Sequence, residues 1–251
     1  LREIFGDIDG ALELMLSAYA RLDPAETEHR AWTLVQTAHL LVSTGKLQDA
    51  AAVLEAALKL VPDYHYGLAA LGKVQTAKGN HDEAVGLFQR RYELAPHPEN
   101  LFDVAAALHH AGKREESKEA FARFEKLALA ESEGWDNANR ELIVWYADYA
   151  NKPAEALKIA KREIARRRDI ATLDAYAWSL YRSGMYSEAA SEIEKALAVG
   201  TLDARILYHA GAIARAAGEN GKAETYLRRS LEINGKSEVA AEARLLLAGR
   251  P

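Results

Sequence analysis

The chain has 251 residues, of which 49% are hydrophobic, 27% are charged and 6 are proline. This composition is typical of a folded, helix-rich protein and excludes a chain that is disordered throughout. A formal net charge of −5 does not favour nucleic acid or anionic lipid as a partner, and the absence of cysteine excludes disulfides, thiolate metal sites and a cysteine nucleophile.

The chain starts at Leu1 without a basic leader followed by an apolar stretch, so we interpret it as a cleaved precursor or an excised piece of a longer protein. No apolar run approaches the roughly 18 residues that a membrane span needs. The sequence therefore predicts no membrane-spanning segment. It leaves the periplasmic or secreted and the cytoplasmic locations open.

A glycine or asparagine recurs along the chain at intervals of 33, 34 or 39 residues. A small residue follows each of these marker residues after five positions, and in six of the seven cases a bulky apolar residue follows after nine. The markers are Gly6, Gly45, Gly79, Gly112, Asn151, Gly184 and Gly218, and the small residues are Ala11, Ala50, Ala84, Ser117, Ala156, Ala189 and Ala223. Glycine or asparagine after an apolar-periodic stretch is typical of a helix that ends in the left-handed conformation.

Each marker thus predicts the turn of an antiparallel helix pair, with a small residue where the two helices cross. A pair of this kind cannot bury its outer apolar face alone, so it must stack on its neighbours. Gly6 to Leu22 fits the second helix of an incomplete unit within residues 1–30, and six full units occupy 31–235. Residues 236–251 are predicted to form a capping helix that Ser237 begins.

Two longer intervals and one irregular unit need separate predictions. Asp23 to Glu26 is predicted to start the following helix early, and the second long interval is predicted to hold a longer connection with a helix cap at Asp136. The fourth unit has Arg140, Ala160 and Glu163 at positions that elsewhere hold apolar residues. Its register is therefore the least certain of the six.

This pattern of leucine, small, small and bulky apolar residues, with Pro62 and Pro96 closing two units, resembles the tetratricopeptide repeat over essentially the whole chain. The resemblance implies an all-α, right-handed superhelical solenoid of antiparallel helix pairs that forms a single domain over 1–251. It also implies that the first helices line the inner, concave side. On the helix face opposite the buried stripe we expect the partner-binding residues Trp32, His39, Tyr66, Lys73, Phe102, His109, Trp145, Trp178, Tyr181, Arg182, Tyr208 and Arg215.

Other motifs point to no chemistry. The segment Gly67 to Val74 nearly matches a phosphate-binding loop, but Val74 stands where a hydroxyl should bind magnesium and no strand precedes it. His109 and His110 are adjacent and diverge by about 100° on a helix, so we expect no metal and no cofactor. The basic run Lys158 to Arg168 is interpreted as a solvated outer helix face, with an acidic partner or anionic surface as the alternative.

The sequence therefore predicts a noncatalytic scaffold that binds a protein or peptide segment in an aromatic-lined groove, as a monomer or a weak homo-oligomer. One alternative is that the chain is a structural or self-associating spacer. A second is a helical-repeat RNA binder, against which the acidic charge counts.

Overall fold

The structure is a computed structural model that describes residues 2–3 and 6–249. These residues form fourteen α-helices and one π-helical turn, with no strand, as the all-α prediction required. They group into two compact units, the first made of residues 2–3 and 7–130 and the second of residues 6 and 131–249. Arg250 and Pro251, at the end of the predicted capping segment, lie outside the described residues.

The first unit contains three helix pairs that follow a single leading helix. The leading helix is α1 (Ile8–Arg21), and the pairs are α2 (Thr27–Ser43) with α3 (Leu47–Leu60), α4 (His65–Ala77) with α5 (His81–Leu94), and α6 (Pro98–His110) with α7 (Arg114–Glu131). Helix α1 packs against α2, as expected for the second helix of an incomplete unit.

The second unit repeats this arrangement and ends in a short helix. Its pairs are α8 (Asn139–Val144), continued by the π-helical turn Trp145–Tyr149, with α9 (Pro153–Arg166), then α10 (Ile170–Arg182) with α11 (Tyr186–Leu197), and α12 (Ala204–Ala216) with α13 (Asn220–Asn234). The short helix α14 (Ala240–Leu247) packs against α13 and α12. It therefore covers part of the last pair.

The seven predicted markers all adopt the left-handed backbone conformation. Six are glycines with φ between 72° and 84°, and Asn151, with φ of 51°, is the non-glycine residue in this conformation among the described residues. Because a side chain is strained there, the six markers from Gly45 onward each fix the end of a first helix and the turn into its partner, and Gly6 precedes α1. The predicted positions of these turns are confirmed.

The predicted small positions lie where paired helices approach each other. Ala50, Ala84 and Ala223 are fully buried. A Cβ atom on Gly72 would lie 2.7 Å from the ring of Phe88, and one on Gly211 would lie 2.6 Å from Leu227. The bulky residue of the second helix therefore fills the space that the missing side chain of the first helix leaves open, which is the packing that the repeat pattern predicted.

Three predicted helix starts were wrong in detail. Helix α2 gains about one extra turn but begins at Thr27, because Asp23 caps a turn by accepting a hydrogen bond from the amide of Ala25. Ala138, and not Asp136, holds the cap position of α8, and the side chain of Asn137 accepts from the amide of Asn139. Helix α14 begins at Ala240, after a turn, so Ser237 does not cap it.

The fourth pair departs from the others through its π-helical turn. This turn inserts an extra residue, so the buried stripe before it runs through Asn139, Leu142 and Ile143. Arg140, which was predicted on that stripe, is exposed. The register predicted for the start of this pair was therefore wrong by one residue, whereas Asn151 after it is at the predicted turn.

The basic run of α9 was predicted as a solvated outer face, and Lys158, Lys161 and Arg168 are exposed, but other charges of the run are not. Glu163 within it is buried, with 1% of its side chain exposed, and forms a 2.6 Å ion pair with Arg167. Arg162 Nη1 donates to the Ser132 hydroxyl over 2.8 Å, and Arg166 Nη2 donates to the Glu133 carbonyl over 3.0 Å. Three arginines of the run thus hold the connection before α8 in place.

Candidate functional site

In the first unit, the predicted binding residues form a largely exposed surface on the first helices. Trp32 on α2 and Tyr66 on α4 are 47% and 53% exposed. His39, Lys73 and His109 are exposed as well. Phe102 differs, because its half-buried ring contacts Phe121 at 5.9 Å and Phe124 at 5.3 Å between centroids. It therefore contributes to the packing of α6 on α7.

His39 and Lys73 occupy equivalent positions of α2 and α4. Burial by surrounding protein lowers the pKa of His39 below its ordinary value of 6.5, and the charge of Lys73 lowers it further. The His39 side chain is nevertheless accessible to water. His39 is therefore an exposed imidazole whose protonation is opposed by neighbouring protein and by the charge of Lys73.

We expect the pKa of His39 to lie below 6.5, and Lys73→Gln to raise it only part of the way back because desolvation is the larger cause. A proton NMR titration of the imidazole measures this. Lys59→Gln, which removes an exposed lysine of α3, should leave the value unchanged. Because the folded state binds the proton less well, the contribution of His39 to stability is lost as the pH falls below 6.5. A His39 pKa at or above 6.5 would contradict this effect of its surroundings.

In the second unit, aromatic rings of α10 and α12 pack together into one group. We call Trp178, Tyr181, Tyr208 and His209 the aromatic cluster. The Trp178 ring stacks on His209 at 4.0 Å and on Tyr181 at 4.8 Å, and it lies 6.0 Å from Tyr208. Offset contacts of this kind stabilise the arrangement beyond simple burial.

Hydrogen bonds hold the aromatic cluster in a single orientation. Trp178 Nε1 donates to Asp148 Oδ1 over 2.9 Å, and Arg182 Nη1 donates to the same oxygen over 2.6 Å. Behind the rings, His209 Nδ1 lies 2.7 Å from Asp174 Oδ1. Asp148 belongs to the π-helical turn, so this turn and α10 are joined through the cluster.

The exposed part of the second-unit surface consists of tyrosine and arginine side chains. Tyr181, Arg182, Tyr208 and Arg215 are half-buried, whereas Trp178 is only 7% exposed. Burial raises the pKa of Tyr208 to about 12, with Glu242, Tyr181 and Asp148 adding to the effect. The Tyr208 hydroxyl is therefore a neutral hydrogen-bond donor at physiological pH.

The structure changes the role of two predicted tryptophans. Trp178 was predicted as a surface anchor, but its burial and its bond to Asp148 make it the support on which Tyr181 and Tyr208 rest. Trp145 is half-buried and its ring stacks on Tyr149 at 6.3 Å. The sequence analysis did not identify His209. The sequence held one indication of this contact: His209 follows Asp174 by 35 residues, which is about one repeat and places the two on adjacent first helices.

The described residues contain no group of three or more histidine, aspartate or glutamate side chains placed to hold a metal ion. None of the helices in the part of the chain that the structure describes has the length and apolarity needed to cross a membrane. The segment that resembles a phosphate-binding loop lies inside α4. The geometry thus offers packed aromatic and charged side chains on helix faces.

Stacked helix pairs with left-handed turns at repeat spacing and small residues at their crossings define a helical-repeat protein. A model of the tetratricopeptide repeat family matches residues 35–98 and 175–238, which together make up half of the chain. The chain belongs to the tetratricopeptide repeat family. A search of curated proteins found no sequence match. The repeats support a general role as a protein-interaction scaffold.

Solved structures show the same fold at low sequence identity. A tetratricopeptide repeat protein from Parabacteroides merdae ATCC 43184 is 20% identical with a TM-score of 0.57, and the alignment covers 97% of this chain and 93% of that one. The APC/C hetero-tetramer Cut9–Hcn1 gives 15% identity and a TM-score of 0.58, covering 96% of this chain and 46% of that one. Yeast Tom70 is 16% identical with a TM-score of 0.52, and the alignment covers 96% of this chain and 58% of that one. The chain thus spans about half of the latter two.

Proposed function

We propose that the chain is a noncatalytic scaffold that binds a segment of a partner protein on its first helices, with the aromatic cluster of the second unit as the main contact. The observation that carries this proposal is the fixed orientation of Tyr181 and Tyr208, which Trp178 and Asp148 hold from behind. Tyrosine and arginine are enriched among residues that dominate binding energy.

The order of the cluster before binding favours association. Its rings are already packed and hydrogen-bonded, so a partner does not have to immobilise them. The Arg205 side chain lies one turn before Tyr208 on α12, is exposed, and forms no side-chain hydrogen bond or ion pair with another described residue, although the charges of Asp174, Asp203 and Glu238 act on it. A partner segment with an apolar or aromatic side chain and a nearby acceptor fits this surface, because the side chain packs on the tyrosines while the acceptor meets Arg205.

The test is to capture partners on the immobilised full chain from an extract of its source organism and then measure the affinity of each purified partner. We expect Tyr208→Ala to weaken binding by about tenfold or more, since a central anchor contributes about 2 kcal/mol or more. Tyr226→Ala is the matched control, because Tyr226 lies on the second helix α13 and its hydroxyl bonds to Glu194. Circular dichroism checks that both variants fold.

Unchanged affinity of the Tyr208→Ala variant would refute the cluster as the main contact, as would an equal loss with Tyr226→Ala. The self-associating alternative has a separate readout. If a second copy of the chain occupied the aromatic cluster, sedimentation would show an oligomer that Tyr208→Ala dissociates. We expect the wild-type chain and the Tyr208→Ala variant to sediment in the same way.

A further inference from the structure

The connection between α7 and α8 carries the most exposed large hydrophobic side chain among the described residues. Trp135 is 85% exposed, whereas the others reach at most 55%. Residues 132–138, which we call the Trp135 loop, lie in the second unit. Within the described part of the chain, their hydrogen bonds are with neighbouring residues and with α9, not with the aromatic cluster. An exposed tryptophan is costly to hydrate and is typical of a binding anchor.

The Trp135 loop is held in place by several hydrogen bonds. The Gly134 amide donates to the Glu131 carbonyl over 2.8 Å, and Asn137 Nδ2 donates to the Gly134 carbonyl over 2.7 Å. Arg166 Nη1 also donates to the Gly134 carbonyl over 3.1 Å, and its guanidinium carbon lies 5.9 Å from the centre of the Trp135 ring. A partner would therefore meet an anchor whose loop is already ordered.

Helix α9, whose Arg162 and Arg166 contact the loop, also presents unpaired cations. Glu133 and Glu163 neutralise Arg162, Arg166 and Arg167. Lys158 and Lys161 have no such partner among the described residues, and they lie with Ala154 and Ala165 on one exposed stripe of α9. The two alanines flank the lysines on this stripe, so small side chains lie at both of its ends.

We propose that the Trp135 loop and the α9 stripe together bind an extended acidic segment of a partner protein that carries one aromatic or large aliphatic side chain. That side chain packs on Trp135, and the flanking carboxylates reach Lys158 and Lys161. Charge complementarity with Lys158 and Lys161 selects an acidic segment, and this attraction is local because the net charge of the whole chain is −5. Two free lysines fall short of the four to eight basic residues typical of a lipid-binding cluster, so a protein segment is favoured over a membrane.

The test uses the full chain and a short fluorescent peptide of glutamate, aspartate and glycine with one central phenylalanine. We expect Trp135→Ala to weaken its binding by about tenfold and the joint change Lys158→Gln and Lys161→Gln by about fivefold, with affinity falling as salt rises. Replacing the phenylalanine of the peptide by serine should match the loss seen with Trp135→Ala. Leu94→Ala and Lys59→Gln are controls that remove an exposed hydrophobic side chain and an exposed lysine elsewhere.

Tyr208→Ala should leave peptide binding unchanged, which separates this surface from the aromatic cluster. No binding of the peptide by the wild-type chain would overturn the proposal. Equal affinity of the wild-type and Trp135→Ala chains would overturn it as well. So would binding to vesicles that contain phosphatidylserine without binding to the peptide, because the occupant would then be a lipid surface.

Discussion

Glu163→Ala is expected to lower the free energy of unfolding by about 3–5 kcal/mol, because it removes one partner of a buried charged group. Glu163 Oε1 accepts from Asn139 Nδ2 over 2.7 Å, and its other oxygen accepts from Arg167 Nε over 2.8 Å. Without this carboxylate, the buried amide of Asn139 loses an acceptor and two arginines lose their counter-charge. Chemical denaturation followed by circular dichroism measures the change.

Glu155→Ala is the matched control, since Glu155 lies on the same helix and is exposed. Its effect should stay within about 0.5 kcal/mol. Glu163→Gln keeps the shape and one acceptor oxygen but not the charge, so it should recover only part of the loss. Equal stability of the Glu163→Ala and Glu155→Ala variants would show that the buried ion pairs do not stabilise the second unit.

Gly72→Ala is expected to lower the free energy of unfolding by about 1–3 kcal/mol through overpacking. A Cβ atom there would lie 2.7 to 3.0 Å from three ring atoms of Phe88. Thermal and chemical denaturation of the purified chain measure the loss. The result is notable because alanine ordinarily stabilises a helix by about 1 kcal/mol over glycine.

For Gly86→Ala, in the partner helix α5, we expect a higher free energy of unfolding instead of a lower one. Gly86 lies inside α5, and a Cβ atom there would meet nothing within 4 Å. The change should therefore raise stability by about 0.5–1 kcal/mol. If both glycine variants shifted stability in the same direction, the space beside Gly72 would not be limiting.

Features of the fold that depend on one or two residues were predictable from the sequence. Gly45 and Gly79 mark turns because only the left-handed conformation gives glycine an advantage, and this advantage is local. Ala50 and Ala84 recur at the crossings because larger side chains do not fit there. Because the same residue types recur at the repeat interval, these local constraints predicted the helix pairs along the chain.

Features that depend on contacts between distant residues were not predictable in the same way. The sequence analysis treated Glu163 as a charge at a position that elsewhere holds an apolar residue, since its partner Asn139 lies 24 residues earlier in the chain, on α8. The extra residue of the π-helical turn leaves no composition signal. Trp178 matched the exposed face by position, but Asp148 and His209 cover it.

The candidate surfaces also differ in how far the sequence could define them. The position of Tyr181, Tyr208 and Arg215 on first helices followed from the repeat register. Their support by Trp178 required the packed structure. The Trp135 loop lies in the longer of the predicted connections, and nothing in the sequence distinguished its ordered conformation from that of a flexible insertion.

The close approach of paired helices at small residues is tested most directly by a double-mutant cycle of Gly72→Ala with Phe88→Leu. The shorter leucine removes the ring atoms that a Cβ atom at position 72 would meet. We therefore predict that Gly72→Ala is destabilising with Phe88 but neutral or stabilising with leucine at that position, a coupling of about 1 kcal/mol or more. The same destabilisation in both backgrounds would contradict the packing of Phe88 into the space beside Gly72.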